Sequence, residues 1–226
     1  MSSQLIEASL LVRLLYWIPL RIAPPRAMSF ERTQPRPWSP TQYRCLMARS
    51  ETHEEEPSWV ELTHRALAEN GIEIVGHVPD GGLRHLIRRL ENDDTFTTIR
   101  LSTEEEGIAM AAGAWLGGSK AAVLMQSSGV GNCTNMLSLL KTCSIPAVLV
   151  VTMRGQQGES NPWQVPMSEA AAPTLELMGV STHSAGSADN VAAYVADACA
   201  RAFPNSGHHG VATAVLIEQR VIGVKS

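Results

Sequence analysis

The chain has 226 residues, 44% of them hydrophobic, with a formal net charge of −4 and a sequence pI near 6.0. One substantial core fits that length, the acidic balance offers no footprint for nucleic acid, and no run reaches the roughly 18 apolar residues of a membrane span. The four cysteines, Cys45, Cys133, Cys143 and Cys199, form no CxxC pair, so a soluble protein of a reducing, cytoplasmic compartment is expected.

Residues 1–56 read as a disordered leader rich in arginine and proline. Up to residue 50 they hold seven arginines against Glu7 and Glu31, no lysine, and six of the chain's 13 prolines. The apolar run Ala8–Leu20 is broken by Arg13 and Pro19 and is preceded by Glu7, which speaks against both a membrane span and a signal peptide. Such a segment cannot bury enough surface to offset its chain entropy. Met28 or Met47 is read as the working start, with an organelle transit peptide as the other reading.

From Pro57 onward helix and strand patterns alternate, and residues 57–226 are read as one domain. Ser58 is placed to cap SWVELTHRALAEN, with Glu61 completing a capping box, Trp59, Leu62, Ala66 and Leu67 as its apolar stripe, and Asn70-Gly71 as its end. IEIVGHV is a short strand whose exit, Val78–Gly82, turns into the amphipathic LRHLIRRLEN. TTIRLS, KAAVLMQ, PAVLVVT, STHS and VATAVLIE supply five further strands, separated by helices over Thr103–Gly118, GVGNCTNMLSLLKTC, APTLELMG and ADNVAAYVADACARAF. Strands such as Ala147–Val151 are apolar on both faces, as in a parallel sheet covered by helices on both sides. The expected fold is therefore α/β and doubly wound, a mostly parallel six-stranded sheet with ligand-binding turns at the carboxyl ends of its strands. Cys133 and Cys143 fall in predicted helices and are read as buried thiols without chemistry. The seven histidines show no metal-ligand spacing, and His208–His209 sit in a Gly-flanked loop read as solvated.

The chain is organised around Thr103–Gly118, TEEEGIAMAAGAWLGG. Three carboxylates in a first turn suit the helix dipole, but the run of alanines and Gly113 behind them also lets another body approach closely. This stretch resembles the glutamate segment of the pyrimidine-binding (PYR) domain of thiamine-diphosphate-dependent decarboxylases, most closely those of the sulfopyruvate decarboxylase alpha and phosphonopyruvate decarboxylase type. In that family a glutamate stands nine residues before a glycine. Counting back from Gly113, the resemblance assigns that role to Glu104, with Glu105 as the alternative one position on, and leaves the other glutamates as helix-start residues.

Three turns extend the resemblance. Ser127-Ser128-Gly129-Val130-Gly131-Asn132 is similar to the family's QNSGLGN loop, with Ser127 where asparagine is usual. The resemblance makes Gln126, Ser128, Gly129, Gly131 and Asn132 cofactor-binding, while a plain strand-to-helix turn reads the same residues equally well. The segment lacks a third glycine for a dinucleotide fingerprint, and there is no GxSxG elbow. Gln164-Val165-Pro166-Met167, in the long loop Met153–Ser168, is similar to a family segment beside the substrate, which makes Gln164 an amide contact. Arg154-Gly155 resembles an R-G step whose guanidinium could hold an anionic head in a forked contact; a solvated surface arginine is the plain alternative. Val78-Pro79-Asp80 resembles a GVPD entry, with His77 where glycine is common, so Asp80 either lines the substrate entrance or caps the next helix.

The family holds the diphosphate and its Mg2+ on a separate domain (PP, or beta) marked by GDG and then NN, and neither pattern in that arrangement occurs here. The resemblance thus implies thiamine diphosphate shared with a PP-type partner subunit, Mg2+ bound by that partner, and a hetero-oligomer decarboxylating a small 2-oxo acid. Glu104, withdrawn from water, would share a proton with the cofactor's aminopyrimidine. The other readings are a non-catalytic PYR-like scaffold or regulatory subunit and an independent nucleotide-binding module, the latter disfavoured by the missing phosphate-loop signature. Close packing against the partner is expected at Ala109–Ala114, with Ala112→Leu as its test.

Overall fold

A computed structural model describes residues 56–204 and 210–223. The leader up to residue 55, Cys45 and His208–His209 lie outside the described residues.

Six strands form one sheet: β1 (Ile74–His77), β2 (Thr97–Arg100), β3 (Ala121–Gln126), β4 (Val148–Thr152), β5 (Ser181–Ala185) and β6 (Thr213–Ile217). They run in the order β2-β1-β3-β4-β6-β5, and every pairing is parallel. The central strands β4 and β6 are buried along their whole length, whereas the edge strand β2 is largely exposed. Continuous apolar runs therefore mark the middle of the sheet and Thr/Arg-rich ones its edge.

Alternation along the strands divides the core in two. Ala122, Leu124, Val148 and Val150 point to the face covered by α1 (Ser58–Glu69), α2 (Arg84–Glu91) and α6 (Ala188–Ala202). Val123, Met125, Leu149 and Val151 point to the face covered by α3 (Glu104–Leu116), α4 (Ser127–Cys143) and α5 (Val165–Leu177). A short α7 (Gln219–Ile222) follows β6.

Several local features differ from the sequence reading. Pro57, not Ser58, is the N-cap of α1, and no side chain caps it. Glu61 is drawn outward to the Arg89 guanidinium of α2 instead, so the capping box does not form. Leu62 is only partly buried, and Val60 and Thr63 complete the inner stripe with Trp59, Ala66 and Leu67. Helix α4 begins directly after Gln126, two residues before the Gly129 start read from the sequence, so all of Ser127–Asn132 lies in its first turns. Helix α5 begins at Val165, preceded by a 3-10 turn Pro162–Gln164, because proline is tolerated in a first turn, where its missing N–H costs nothing. Cys143 is the last residue of α4 and exposed, while Cys133 and Cys199 are buried. Ala111 and Ala112 face the domain's own core, and the exposed positions of α3 are Glu106, Ala109, Gly113, Trp115 and Leu116.

Candidate active site

The chain passes from β1 to β2 on one side and returns to β3 on the other, so the crevice above β1 and β3 is a switch point of the sheet, where α/β domains bind ligands. Helix α3 starts at its rim. Thr103 is extended, and the three glutamates that follow have three different fates. Glu106 Oε2 accepts from the Ser102 amide at 2.9 Å, an ordinary closure of the helix start. Glu105 has one carboxylate oxygen buried without a hydrogen-bond partner. Glu104, half-buried, reaches α4, where its Oε2 accepts from Asn132 Nδ2 at 2.8 Å.

Gly129 explains why Glu104 can lie there. A Cβ on Gly129 would stand 2.4 Å from Glu104 Cγ and 2.5 Å from both Cδ and Oε1. The glycine is thus a matter of close approach and not of a turn, since its backbone φ is not positive. One turn on, the buried Cys133 thiol is pushed up to about 12, first by burial and then by the charges of Glu104 and Glu105. It behaves as a small hydrophobe.

The other residues singled out in the sequence fall around this pair. Gln126 ends β3 half-buried, and its Oε1 accepts from Ser128 Oγ at 3.4 Å. Gly131 faces Met167, whose Cε would lie 3.5 Å from an added Cβ, so the start of α5 is seated on the start of α4. Asp80 folds back over the sheet: its Oδ2 accepts from the Gly82 amide and from Thr152 Oγ1, both at 2.9 Å. Ser127, fully buried, accepts from the Arg154 amide at 3.1 Å and so joins the β4 exit to α4. His77, in contrast, turns away toward α2, with Nε2 3.5 Å from Glu91 Oε1, and burial lowers its pKa against that carboxylate's pull.

Arg154 is held by a residue that the sequence reading passed over. Its Nε and Nη2 donate to the two oxygens of Glu159 at 2.7 and 2.8 Å. Glu159 is almost wholly buried and also accepts from the Gly155 and Asn161 amides and from Gln219 Nε2. These donors hold its carboxyl far below the usual range, the Arg154 fork most of all. Gln219 of α7 exchanges two further bonds with Gln156, amide to side chain in both directions, at 2.9 and 2.7 Å. Gly155, at φ +78°, then packs so tightly on the Gln164 carbonyl that a Cβ would come within 2.2 Å of it. Gln164 has its Oε1 buried without a partner, and next to it Trp163 is 80% exposed. No sequence motif marks Glu159 or Gln219; they meet only because β6 lies beside β4.

Glu104, Gly129 and Asn132 are thus in direct contact. Asp80, Arg154 and Gln164 form a second group at the ends of β1 and β4, joined to the first through Ser127 and through Met167 on Gly131. Among the described residues there is no group of three or more His, Cys, Asp or Glu that could hold a metal ion, and no helix long and apolar enough to cross a membrane.

Fold and site together define a doubly wound domain that offers one carboxylate across a glycine-backed helix start. The chain belongs to the family of the thiamine pyrophosphate enzyme N-terminal TPP binding domain, which residues 58–172 match. It is 36% identical over 121 residues to sulfopyruvate decarboxylase subunit alpha of Methanocaldococcus jannaschii, covering 53% of this chain and 72% of that one. It is 44% identical over 92 residues to phosphonopyruvate decarboxylase of Streptomyces viridochromogenes, covering 40% of this chain and 23% of the relative. The fold is also that of a region of 2-oxoglutarate:ferredoxin oxidoreductase from Magnetococcus marinus, with TM-score 0.54 at 13% identity over 73% of this chain and 29% of that one. The chain therefore spans most of the alpha subunit and less than a third of the other two proteins.

Proposed function

We propose that this chain is the pyrimidine-binding subunit of a thiamine-diphosphate-dependent carboxy-lyase that decarboxylates a 2-oxo acid of the sulfopyruvate or phosphonopyruvate type. The observation that carries the reading is Glu104, half-buried at the switch crevice, oriented by Asn132 and seated on Gly129 in a domain of the TPP-binding family. The relatives' names support the substrate class, and the name "subunit alpha" supports a partner subunit.

The residues present fit the aminopyrimidine end of the cofactor. Glu104 Oε1 has no partner among the described residues, and the glycine-backed cradle beside it is one that a Cβ would fill. When bound, thiamine diphosphate supplies the electron sink that allows a 2-oxo acid to lose carbon dioxide. Glu104 holds or shares a proton at Oε1, while the amide of Asn132 fixes the carboxylate's orientation through Oε2. Gln126, Ser128, Gly129 and Gly131 line the approach with small or neutral groups. Asp80, Arg154 and Gln164 are assigned to the substrate side, where the buried Gln164 Oε1 has no hydrogen-bond partner among the described residues. The diphosphate and its Mg2+ fall to a PP-type partner subunit, which also excludes water from Glu104.

The test is isolation of the tagged chain from its own cells, with mass spectrometry of co-purifying protein and an assay for bound thiamine diphosphate. A stoichiometric partner carrying GDG and NN, with cofactor present, is the expected result. In that complex Glu104→Gln should lower the decarboxylation rate by about 100-fold or more, the usual range for a lost proton-transfer group, with an unchanged circular dichroism spectrum. Recovery of the chain alone and free of cofactor would favour the scaffold reading instead.

A further inference from the structure

Arg154 is the only cation assigned above to the substrate side of the site, yet its fork is occupied within the chain. Nε and Nη2 face Glu159, which leaves Nη1 as the guanidinium nitrogen with no partner among the described residues. Five donor groups converge on Glu159, so a substrate anion cannot displace it without leaving several of them unsatisfied. Asp80 lies at the same place, bonded to Thr152, two residues before Arg154 on the exit of β4.

Three charged groups thus share the carboxyl ends of β1 and β4, and they sum to one negative charge. We propose that Glu159 sets how strongly the site discriminates between substrates by their charge, by cancelling Arg154 and leaving the substrate a net negative wall with a single guanidinium N–H. The inference rests on the decarboxylase reading above. Glu159 acts through Arg154 and is a positioning residue, not one that touches substrate. Asp80 is tied to Thr152, two residues before Arg154, and the Arg154 pKa is raised first by the Glu159 fork and more weakly by the Asp80 charge, so the three groups act on one another.

The experiment uses the complex with its partner subunit, loaded with thiamine diphosphate and Mg2+. It compares kcat/KM for a dianionic 2-oxo acid, sulfopyruvate, with that for monoanionic pyruvate. The three-group charge is −1 in the wild type, 0 in Glu159→Gln, −2 in Arg154→Gln, and −1 again in the double variant. The dianion-to-monoanion ratio should rise at least about ten-fold in Glu159→Gln, fall by a similar factor in Arg154→Gln, and return near the wild-type value in the double variant. A purely structural clamp would lower both substrates together. One ratio common to all four proteins would therefore overturn the proposal. The double variant replaces the buried pair with neutral groups of similar size and guards against a single variant that fails to fold. A second readout needs no activity: phenylglyoxal modification of Arg154 in the isolated chain, followed by peptide mass spectrometry. Faster modification in Glu159→Gln than in wild type is expected, and equal rates would overturn the masking. If the wild-type complex decarboxylates no 2-oxo acid, the functional reading fails while this second readout still decides whether Glu159 masks Arg154.

Discussion

Glu104 and Gly129 occupy one space from two sides, the carboxylate of one lying where any side chain of the other would stand. Gly129→Ala is accordingly expected to keep the fold and displace Glu104. Decarboxylation by the complex should drop by about 100-fold, as for a misplacement of roughly 1 Å, while the melting temperature of the chain stays near wild type. A parallel loss of both would assign Gly129 to folding alone. The members of this contact could be singled out in the sequence, Glu104 by its nine-residue spacing from Gly113 and Gly129 and Asn132 by a loop similar to the family's, but not their meeting across two helices. Glu159 and Gln219 were not legible. Each lies in an unremarkable polar stretch, and their partnership depends on which strand ends are neighbours, a fact that no local pattern carries. Cys143 was misread for a related reason: a cysteine in a helix is usually buried, but this one ends its helix at the surface.

At the scale of elements, all six strand runs and the sense of the sheet could be read, the inner ones from continuous apolar runs and the polar TTIRLS and STHS from their place in the alternation with helices. The starts of α4 and α5 could not. Ser127–Asn132 has the composition of a turn, yet it continues β3 directly into a helix, because its glycines serve contacts with Glu104 and Met167. Val165-Pro166 looked like loop, although a proline in the first turn of a helix loses no hydrogen bond. The segment before it is anchored by Gly155, whose φ of +78° and approach to Gln164 both exclude a side chain. Gly155→Ala should therefore destabilise the chain by about 2 kcal/mol or more in denaturant titration and free the segment around Trp163. Unchanged stability, with unchanged proteolytic resistance of residues 153–164, would show that the loop tolerates the strain.

At the scale of the molecule, the two helical layers differ. Between Glu106 and Lys141 the sequence has a single charge, Lys120, and that side chain is tied to the Asn70 carbonyl at 3.1 Å. The exposed part of α3 in this stretch is Ala109, Gly113, Trp115 and Leu116, so Ala112→Leu would crowd the chain's own core rather than block a partner. Gly113→Leu is the better probe: a Cβ there meets nothing within 4 Å. The isolated chain should gain up to about 1 kcal/mol from helix propensity, while its association with the partner weakens. Undiminished association would place the interface elsewhere. Acid lability also belongs to the whole molecule. Burial lowers the His77 pKa from 6.5, so its contribution to stability is present above that value and lost on acidification. The Glu159 carboxyl is lowered from 4.5, so its contribution is intact at neutral pH and lost as pH falls further. Denaturant midpoints should decline in two stages, and Glu159→Gln should shrink the second, to which Asp93, held low by Thr95, also contributes, while leaving the first unchanged. The order β4-β6-β5 has a further consequence for synthesis. When β5 leaves the ribosome, β6, its only sheet neighbour among the described residues, has not yet been made, and Gln219, which ties down the segment after β4, comes later still. The Arg154–Glu159 segment is thus without its Gln219 anchor until β6 and the turn after it have been made, and a ribosome-bound intermediate lacking β6 cannot hold it in this arrangement.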